Sequence, residues 1–414
     1  MKSKSLTLMS LLLVAAMLLL AACGPAPTPQ IIEKEVVVEK PVVETVVVEK
    51  EVVVEKPVVE TVVVEVEKEV EVLVTPEAAA PNPYRPDKLF EVEAKLRAAM
   101  AGKPAPENAR YAIVANILVP FWTACQIGAA RASSELAVPV IFYAPVVAGS
   151  VESQVSMLES LVADKYAGVS FSAISPETVE DIVAKGMAQG THFVAMDSDS
   201  PESERYIYIG MSDYNAGAAA AEAALKIIGK GKVVGLVGFS TAQNAINRMA
   251  GIEDTLKGTD IQYLETLFDD ADPAKALSNA ETALSKYPDL AGFITIYSYD
   301  GPAAGQAVKA AGKAGQVKII AFDLEPETQK LMKEGVIQAA IGQRVYWYGK
   351  LSVDVLHAMA TLGPEETLKV LEPYLIHNPI TDKTDHLDTG VDVVYGNELG
   401  LYQEYLDSVG IASQ

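Results

Sequence analysis

From Tyr111 onward the chain alternates between short apolar runs and longer segments with helical spacing, a pattern that few folds accept. The runs are 111–116, 138–143, 168–172, 192–196, 233–237, 261–268, 292–296, 318–321 and 339–341. Most are near-continuous stretches of Val, Ile, Leu, Phe and Ala, as expected of strands buried on both faces. Between them lie 122–136, 151–165, 176–188, 214–228, 242–256, 273–286, 302–311, 326–334 and 346–362, which carry the helical pattern. Strict alternation predicts parallel sheets with right-handed helical crossovers. The fold class expected is α/β, with two Rossmann-like parallel-sheet lobes. In open parallel sheets, ligands bind beyond the carboxyl ends of the strands. Polar and aromatic residues cluster there: Phe121 and Trp122, Asp197 and Asp199, Tyr299 and Asp300, Asp323, and Gln343.

The first residues read as a secretory signal. Lys2 and Lys4 precede an apolar run from Leu6 to Leu20, and Leu20-Ala21-Ala22-Cys23 follows. A basic start, a short apolar core and small residues before a cleavage point mark a signal peptide over 1–22 rather than a membrane span. Leu-Ala-Ala-Cys resembles the bacterial lipobox, which makes Cys23 the expected lipidation site and residue one of the mature chain. Acyl chains add ~0.8 kcal/mol per buried methylene, so several on one residue anchor stably. Residues 23–108 are expected to form a lipid-anchored stalk rich in Val, Glu and Pro. The segment from Val36 to Glu51 recurs almost letter for letter from Val52 to Glu67. It contains no whole supersecondary unit, and Pro41 and Pro57 oppose a helix. Within this region, Asp87 to Met100 reads as a short amphipathic helix with Leu89, Val92, Leu96 and Met100 on one face.

Composition narrows the function. The formal charge is -22, from 33 basic and 55 acidic residues, which disfavours nucleic acid, whose phosphates need clustered Lys and Arg. His192, His357, His377 and His386 form no zinc-type spacing with one another or with cysteine. No metal and no cofactor are expected. Cys125 is the only cysteine besides Cys23, so a lipidated Cys23 leaves no intrachain disulfide.

Several segments together resemble the type I periplasmic binding proteins, in the sugar-binding, ribose-binding-protein-like branch. They are Val119-Pro120-Phe121-Trp122, Gln154 to Glu159, Asp197-Ser198-Asp199-Ser200-Pro201, Asn244 to Gly251, Phe322-Asp323, and Gln343-Arg344-Val345-Tyr346. The resemblance runs from Tyr111 to the C-terminus. It implies one lobe from 109–212 and 344–370, and a second from 213–343 and 371–414. A three-segment hinge would lie near Ser212-Asp213, Gln343-Arg344 and the 370s. Ligand closes such lobes, and an ABC permease with its ATPase reads the closed form. The expected protein is a monomeric, exported substrate-binding lipoprotein on the outer face of the bacterial cell membrane, with the lipid its only membrane contact. Its expected ligand is a small sugar or polyol.

A sugar presents hydroxyls at its rim and C–H groups on its faces, so carboxylates, amides and an aromatic ring suit it. Trp122, and less decisively Phe121, should stack on the ligand; the alternative is core packing. Asp197 should accept hydroxyl protons, with Asp199 either a second acceptor or a turn cap. Arg248 could fork onto ligand oxygens, or form a surface ion pair. Tyr299 and Asp300 lie in a loop longer than in ribose-type relatives, with Asp300 expected to face the cleft. Asp323 is the central candidate, against an N-cap for the helix near Pro326. Gln343 can donate and accept at once. Val119 and Ser198 depart from the ribose-type pattern, which carries Asn and Arg there. A sensor domain binding an autoinducer, an inositol or an amino compound is the alternative function. A secreted carbohydrate-active enzyme is disfavoured, because no nucleophile elbow or paired catalytic motif appears.

Overall fold

The computed structural model describes residues 82–411, apart from 105, 119, 148, 149, 239, 241 and 379–381. The expected signal peptide, Cys23, Val119 and the expected stalk as far as residue 81 lie outside the described residues.

Two parallel sheets form the body. The first lobe carries β1 (Tyr111–Val114), β2 (Val140–Tyr143), β3 (Gly168–Phe171), β4 (His192–Met196) and β5 (Tyr208–Gly210). Its helices are α2 (Thr123–Leu136), α3 (Val151–Ala163) and α4 (Pro176–Ala188). The second lobe carries β6 (Gly231–Val237), β7 (Ile261–Phe268), β8 (Leu290–Thr295), β9 (Lys318–Phe322) and β10 (Ala339–Gln343). Between its strands run α5 (Asp213–Ile227), α6 (Gln243–Leu256), α7 (Pro273–Lys286), α8 (Asp300–Ala310) and α9 (Pro326–Lys333). The chain then returns through α10 (Val345–Leu362) and α11 (Pro364–Leu371) to β11 (Ile376–Asn378) and β12 (Lys383–Asp388). It closes with β13 (Val391–Tyr395) and α12 (Leu399–Ser408). The expected two-lobed α/β architecture is present, and most elements end within two residues of the positions read from periodicity.

The tail departs from expectation. The sheet orders are β11-β12-β5-β4-β3-β1-β2 and β13-β10-β9-β8-β6-β7. Residues 376–388 therefore complete the first lobe, not the second, and the third crossing falls between Asp388 and Val391 rather than in the 370s. β12 pairs in parallel with β5, whereas β13 pairs antiparallel with β10. β11 and β12 are short and mostly polar, so they left no apolar run to read, while β13 (Val391–Tyr395) is a short apolar edge strand that the alternating pattern did not reach.

The three crossings are tied together. Thr389 donates its backbone N–H to the Gly210 carbonyl at 2.9 Å, and the Ser212 N–H reaches Asp388 Oδ1 at 3.2 Å. Arg344 spans the second and third crossings, donating Nη1 to the Thr389 carbonyl at 2.8 Å and Nη2 to Asp392 Oδ1 at 2.7 Å.

A helix α1 (Asp87–Met100) precedes β1 and buries Leu89, Val92, Leu96 and Met100, the expected stripe. It joins the first-lobe core beside α10. The stalk boundary expected at 108 is thus too late, because α1 belongs to the folded body. Burying four such side chains stabilises the docked helix by roughly 1.5–3 kcal/mol each. A charge cluster fixes its register. Lys350 of α10 contacts Glu93 at 2.6 Å and Asp354 at 3.0 Å, and Arg97 reaches Asp354 at 2.8 Å. Just before α1, Tyr84 belongs to the second-lobe core, meeting Tyr402 edge-on at 5.3 Å and donating its hydroxyl to Glu398 at 2.7 Å.

Candidate functional site

Two aspartates occupy equivalent places in the two sheets. Asp197 follows β4 and Asp323 follows β9, and both take left-handed backbone angles, φ +59° and +61°. Asp tolerates that conformation better than most residues. The turn lifts each carboxylate off the end of its strand.

In the first lobe, Ser172 at the end of β3 donates its hydroxyl to Asp197 Oδ2 at 2.7 Å. Asn116 at the end of β1 approaches the same oxygen at 3.5 Å. The Tyr208 hydroxyl holds the Asp197 carbonyl at 2.8 Å. In the second lobe, Gln343 donates Nε2 to Asp323 Oδ1 at 3.0 Å. Arg248 lies between the two aspartates electrically and is 4% exposed, so it is no surface ion pair. It donates Nε to Asp213 Oδ1 at 2.9 Å and Nη1 to the Ile296 carbonyl at 3.1 Å, and stacks 4.9 Å above the Phe322 ring. Its helix is seated by close backbone approach. A Cβ on Gly251 would come within 2.0 Å of the Tyr214 carbonyl, and one on Gly217 within 2.0 Å of the Arg248 carbonyl.

Burial pushes the Asp197 carboxyl up to about 6, against the opposing pull of the Ser172 hydroxyl and the Arg248 charge. Burial likewise pushes Asp323 up to about 6, with Arg248 and Gln343 pulling the other way. Burial disfavours the Arg248 charge, but Asp213, Asp323 and Asp197 together hold its pKa above the ordinary value. Three carboxylates thus share one guanidinium. That balance suits hydroxyl donors and opposes an anionic ligand.

Beside Asp323 and Gln343 lies a cavity of about 200 Å³ lined from both lobes, with Phe121 and Thr123 facing Pro326 and Tyr402. Asp197 and Arg248 are not among its lining residues.

The expected residues divide. Asp197, Arg248 and Asp323 act on one another electrostatically, Gln343 holds Asp323, and half-buried Phe121 lines the adjoining cavity. Trp122 does not offer a free ring. It is 1% exposed, donates Nε1 to Asn116 Oδ1 at 3.3 Å and packs on Phe142. The short 3-10 turn Pro120–Trp122 directs the indole into the core, and Phe121 meets it edge-on at 5.2 Å. Core packing, the alternative, is what Trp122 does here. Asp199 is forked onto Arg205, which also holds Asp385 at 3.0 Å, so it braces β12 rather than facing the cleft. Tyr299 donates its hydroxyl to Asp269 at 2.6 Å. Asp300 is wholly buried, and burial together with Asp269 pushes its carboxyl up to about 9. Asp269 Oδ2 and Asp300 Oδ1 are buried with no other hydrogen-bond partner, and a proton held on Asp300 supplies a donor there. Asp300 therefore turns away from the cleft, against expectation.

Asn116, Ser172, Asp213 and Asp269 were not singled out as site residues. The first two close strands, so the strand-end rule could have found them. Arg205 was also missed: Asp199 is near in sequence, but Asp385 is 180 residues away, and only the fold brings the three together. Among the described residues, no group of three His, Cys, Asp or Glu side chains could hold a metal. No described helix is long and apolar enough to cross a membrane.

This arrangement of two doubly wound lobes, three crossings and a carboxylate-rich cleft is the type I periplasmic binding protein fold. A family model described as "Periplasmic binding protein domain" matches residues 112–365, and the chain belongs to that family. It is 26% identical over 246 residues to the D-allose-binding periplasmic protein of Escherichia coli, covering 57% of this chain and 79% of that protein. A solved sugar-binding protein of a sugar ABC transporter from Bacillus halodurans superposes with a TM-score of 0.63 at 25% identity, over 72% of this chain and all of the other. A solute-binding protein from Burkholderia graminis, solved in complex with D-arabinose, gives a TM-score of 0.60 at 29% identity, over 72% of this chain and 98% of that one.

Proposed function

We propose that this chain is the substrate-binding lipoprotein of an ABC importer, and that it takes a neutral sugar or polyol between its lobes. One observation carries the reading: Asp197 and Asp323 stand at equivalent strand ends of opposite lobes, and both act on the buried Arg248 charge. Ionised carboxylates accept hydroxyl protons in short, strong hydrogen bonds. A ligand held by both aspartates bridges the lobes and so favours closure. Relatives that bind D-allose and D-arabinose support the substrate class. Cys23, with Leu20-Ala21-Ala22 before it, supports lipid anchoring.

A thermal-shift screen of monosaccharides and polyols tests the binding reading. A ligand specific to the folded state stabilises by RT ln(1 + [L]/Kd), about 2.7 kcal/mol at a hundredfold excess over Kd. D-allose, D-ribose and D-arabinose head the panel. Asp323→Ala is expected to abolish the shift; a sugar response that survives it refutes the assignment. A response to amino acids or nucleosides, with none to any polyol, refutes the substrate class. Cys23→Ser is expected to move the protein from the membrane to the soluble fraction on cell fractionation. Retention in the membrane fraction refutes the anchor.

A further inference from the structure

Gln343 is itself held, and its keeper comes from the other lobe. Tyr348 lies in α10 of the first lobe, is fully buried, and donates its hydroxyl to Gln343 Oε1 at 3.3 Å. Gln343 closes the second-lobe strand β10 and donates Nε2 to Asp323 Oδ1. The phenol lies beside Thr389 of the third crossing, and Asp213, just past the first crossing, acts on it electrostatically. A single hydroxyl thus sits where all three hinge segments meet and touches the side chain that touches Asp323.

A primary amide has one acceptor oxygen and two N–H donors. Here the oxygen is turned to Tyr348 and the nitrogen to Asp323, which leaves one N–H beside that carboxylate. Rotating the amide would set its oxygen against the carboxylate of Asp323, a repulsive contact in a buried site. We propose that Tyr348 is a positioning residue: it holds the Gln343 oxygen, fixes the amide as a donor beside Asp323, and thereby selects ligands that place a hydroxyl at that corner. The group in question must donate to Asp323 and accept from Gln343. A hydroxyl does both, an ammonium only donates, and a carbonyl only accepts. This specificity rests on the sugar or polyol reading above; the amide lock does not.

Tyr348→Phe removes the hydroxyl alone. The lock is read without ligand, in the purified full chain labelled with 15N-glutamine, with the Gln343 amide assigned by its loss in Gln343→Glu. In the wild type, 15N relaxation of this amide is expected to report restricted side-chain motion on the ps–ns timescale. A freely mobile amide in the wild type overturns the proposal, whatever the variant does. In Tyr348→Phe the amide is expected to shift and gain motion; an unchanged amide signal in a folded variant overturns it. The second readout is specificity. The sugar that most stabilises the wild type is compared with its amino-deoxy analogues at each ring position. At one position the preference for hydroxyl over amine is expected to fall about tenfold in Tyr348→Phe. A ratio unchanged at every position overturns the selective role. If no sugar binds the wild type, the functional reading fails, and the amide measurement alone then decides the role of Tyr348.

Discussion

Lowering the pH from 7.5 to 5 should weaken sugar binding far more than it weakens the fold. Asp197 and Asp323 are both pushed up to about 6 by burial. Each accepts hydroxyl protons far more strongly when ionised than when protonated. At pH 5 a carboxyl titrating one unit higher is about nine-tenths protonated, so each group costs up to about tenfold in affinity. Two such groups acting independently give about a hundredfold, or roughly 2.7 kcal/mol at 1.36 kcal/mol per unit. The Asp323 charge also raises Asp197, which spreads the fall over a wider pH range. The sign for the unliganded fold is opposite. A raised carboxyl contributes stability that is whole below its unfolded value and is lost as pH rises through about 6. These two groups therefore favour the empty protein in acid while disfavouring its complex. Isothermal calorimetry between pH 5 and 7.5, with the sugar that best stabilises the protein, measures the first effect. Thermal melts without ligand measure the second. An affinity flat across that range would refute the assignment of these carboxylates as the hydroxyl acceptors.

Two further predictions concern the scaffold. Lys350→Met leaves Asp354 buried with one cation fewer and should destabilise the protein by about 3–5 kcal/mol in chemical denaturation; adding Asp354→Leu should recover part of this, and a single variant as stable as the wild type refutes the network's importance. Asp300→Asn removes a carboxyl that burial and Asp269 push up to about 9, so the wild-type stability lost as pH rises through that value should be kept by the variant. The difference in melting temperature should move in the variant's favour from pH 5 to pH 9, and parallel curves refute a proton held on Asp300.

The alternation of apolar runs and helical segments was sufficient for the two-sheet α/β class, because a strand buried on both faces must be apolar at every position. Asp197, Asp323 and Gln343 were legible for a related reason: each directly follows or ends such a run, where parallel strands deliver their side chains to one edge. Arg248 was legible through its place near the start of α6. The stripe Leu89, Val92, Leu96, Met100 marked α1 as amphipathic, but not which lobe it would cover. That depended on Lys350 and Asp354, more than two hundred residues later.

Other features belonged to tertiary structure alone. The sequence places Trp122 and Phe121 side by side, and only the turn through Pro120 decides which ring enters the core. Asp199 and Asp300 stand at strand ends as Asp197 and Asp323 do, yet Arg205 claims one and Asp269 the other. The tail joins both sheets through short strands, whose pairing is made by backbone hydrogen bonds that carry little side-chain signature. A periodic pattern records what is buried along one element, whereas the partner of a charge is chosen by whatever the fold brings beside it.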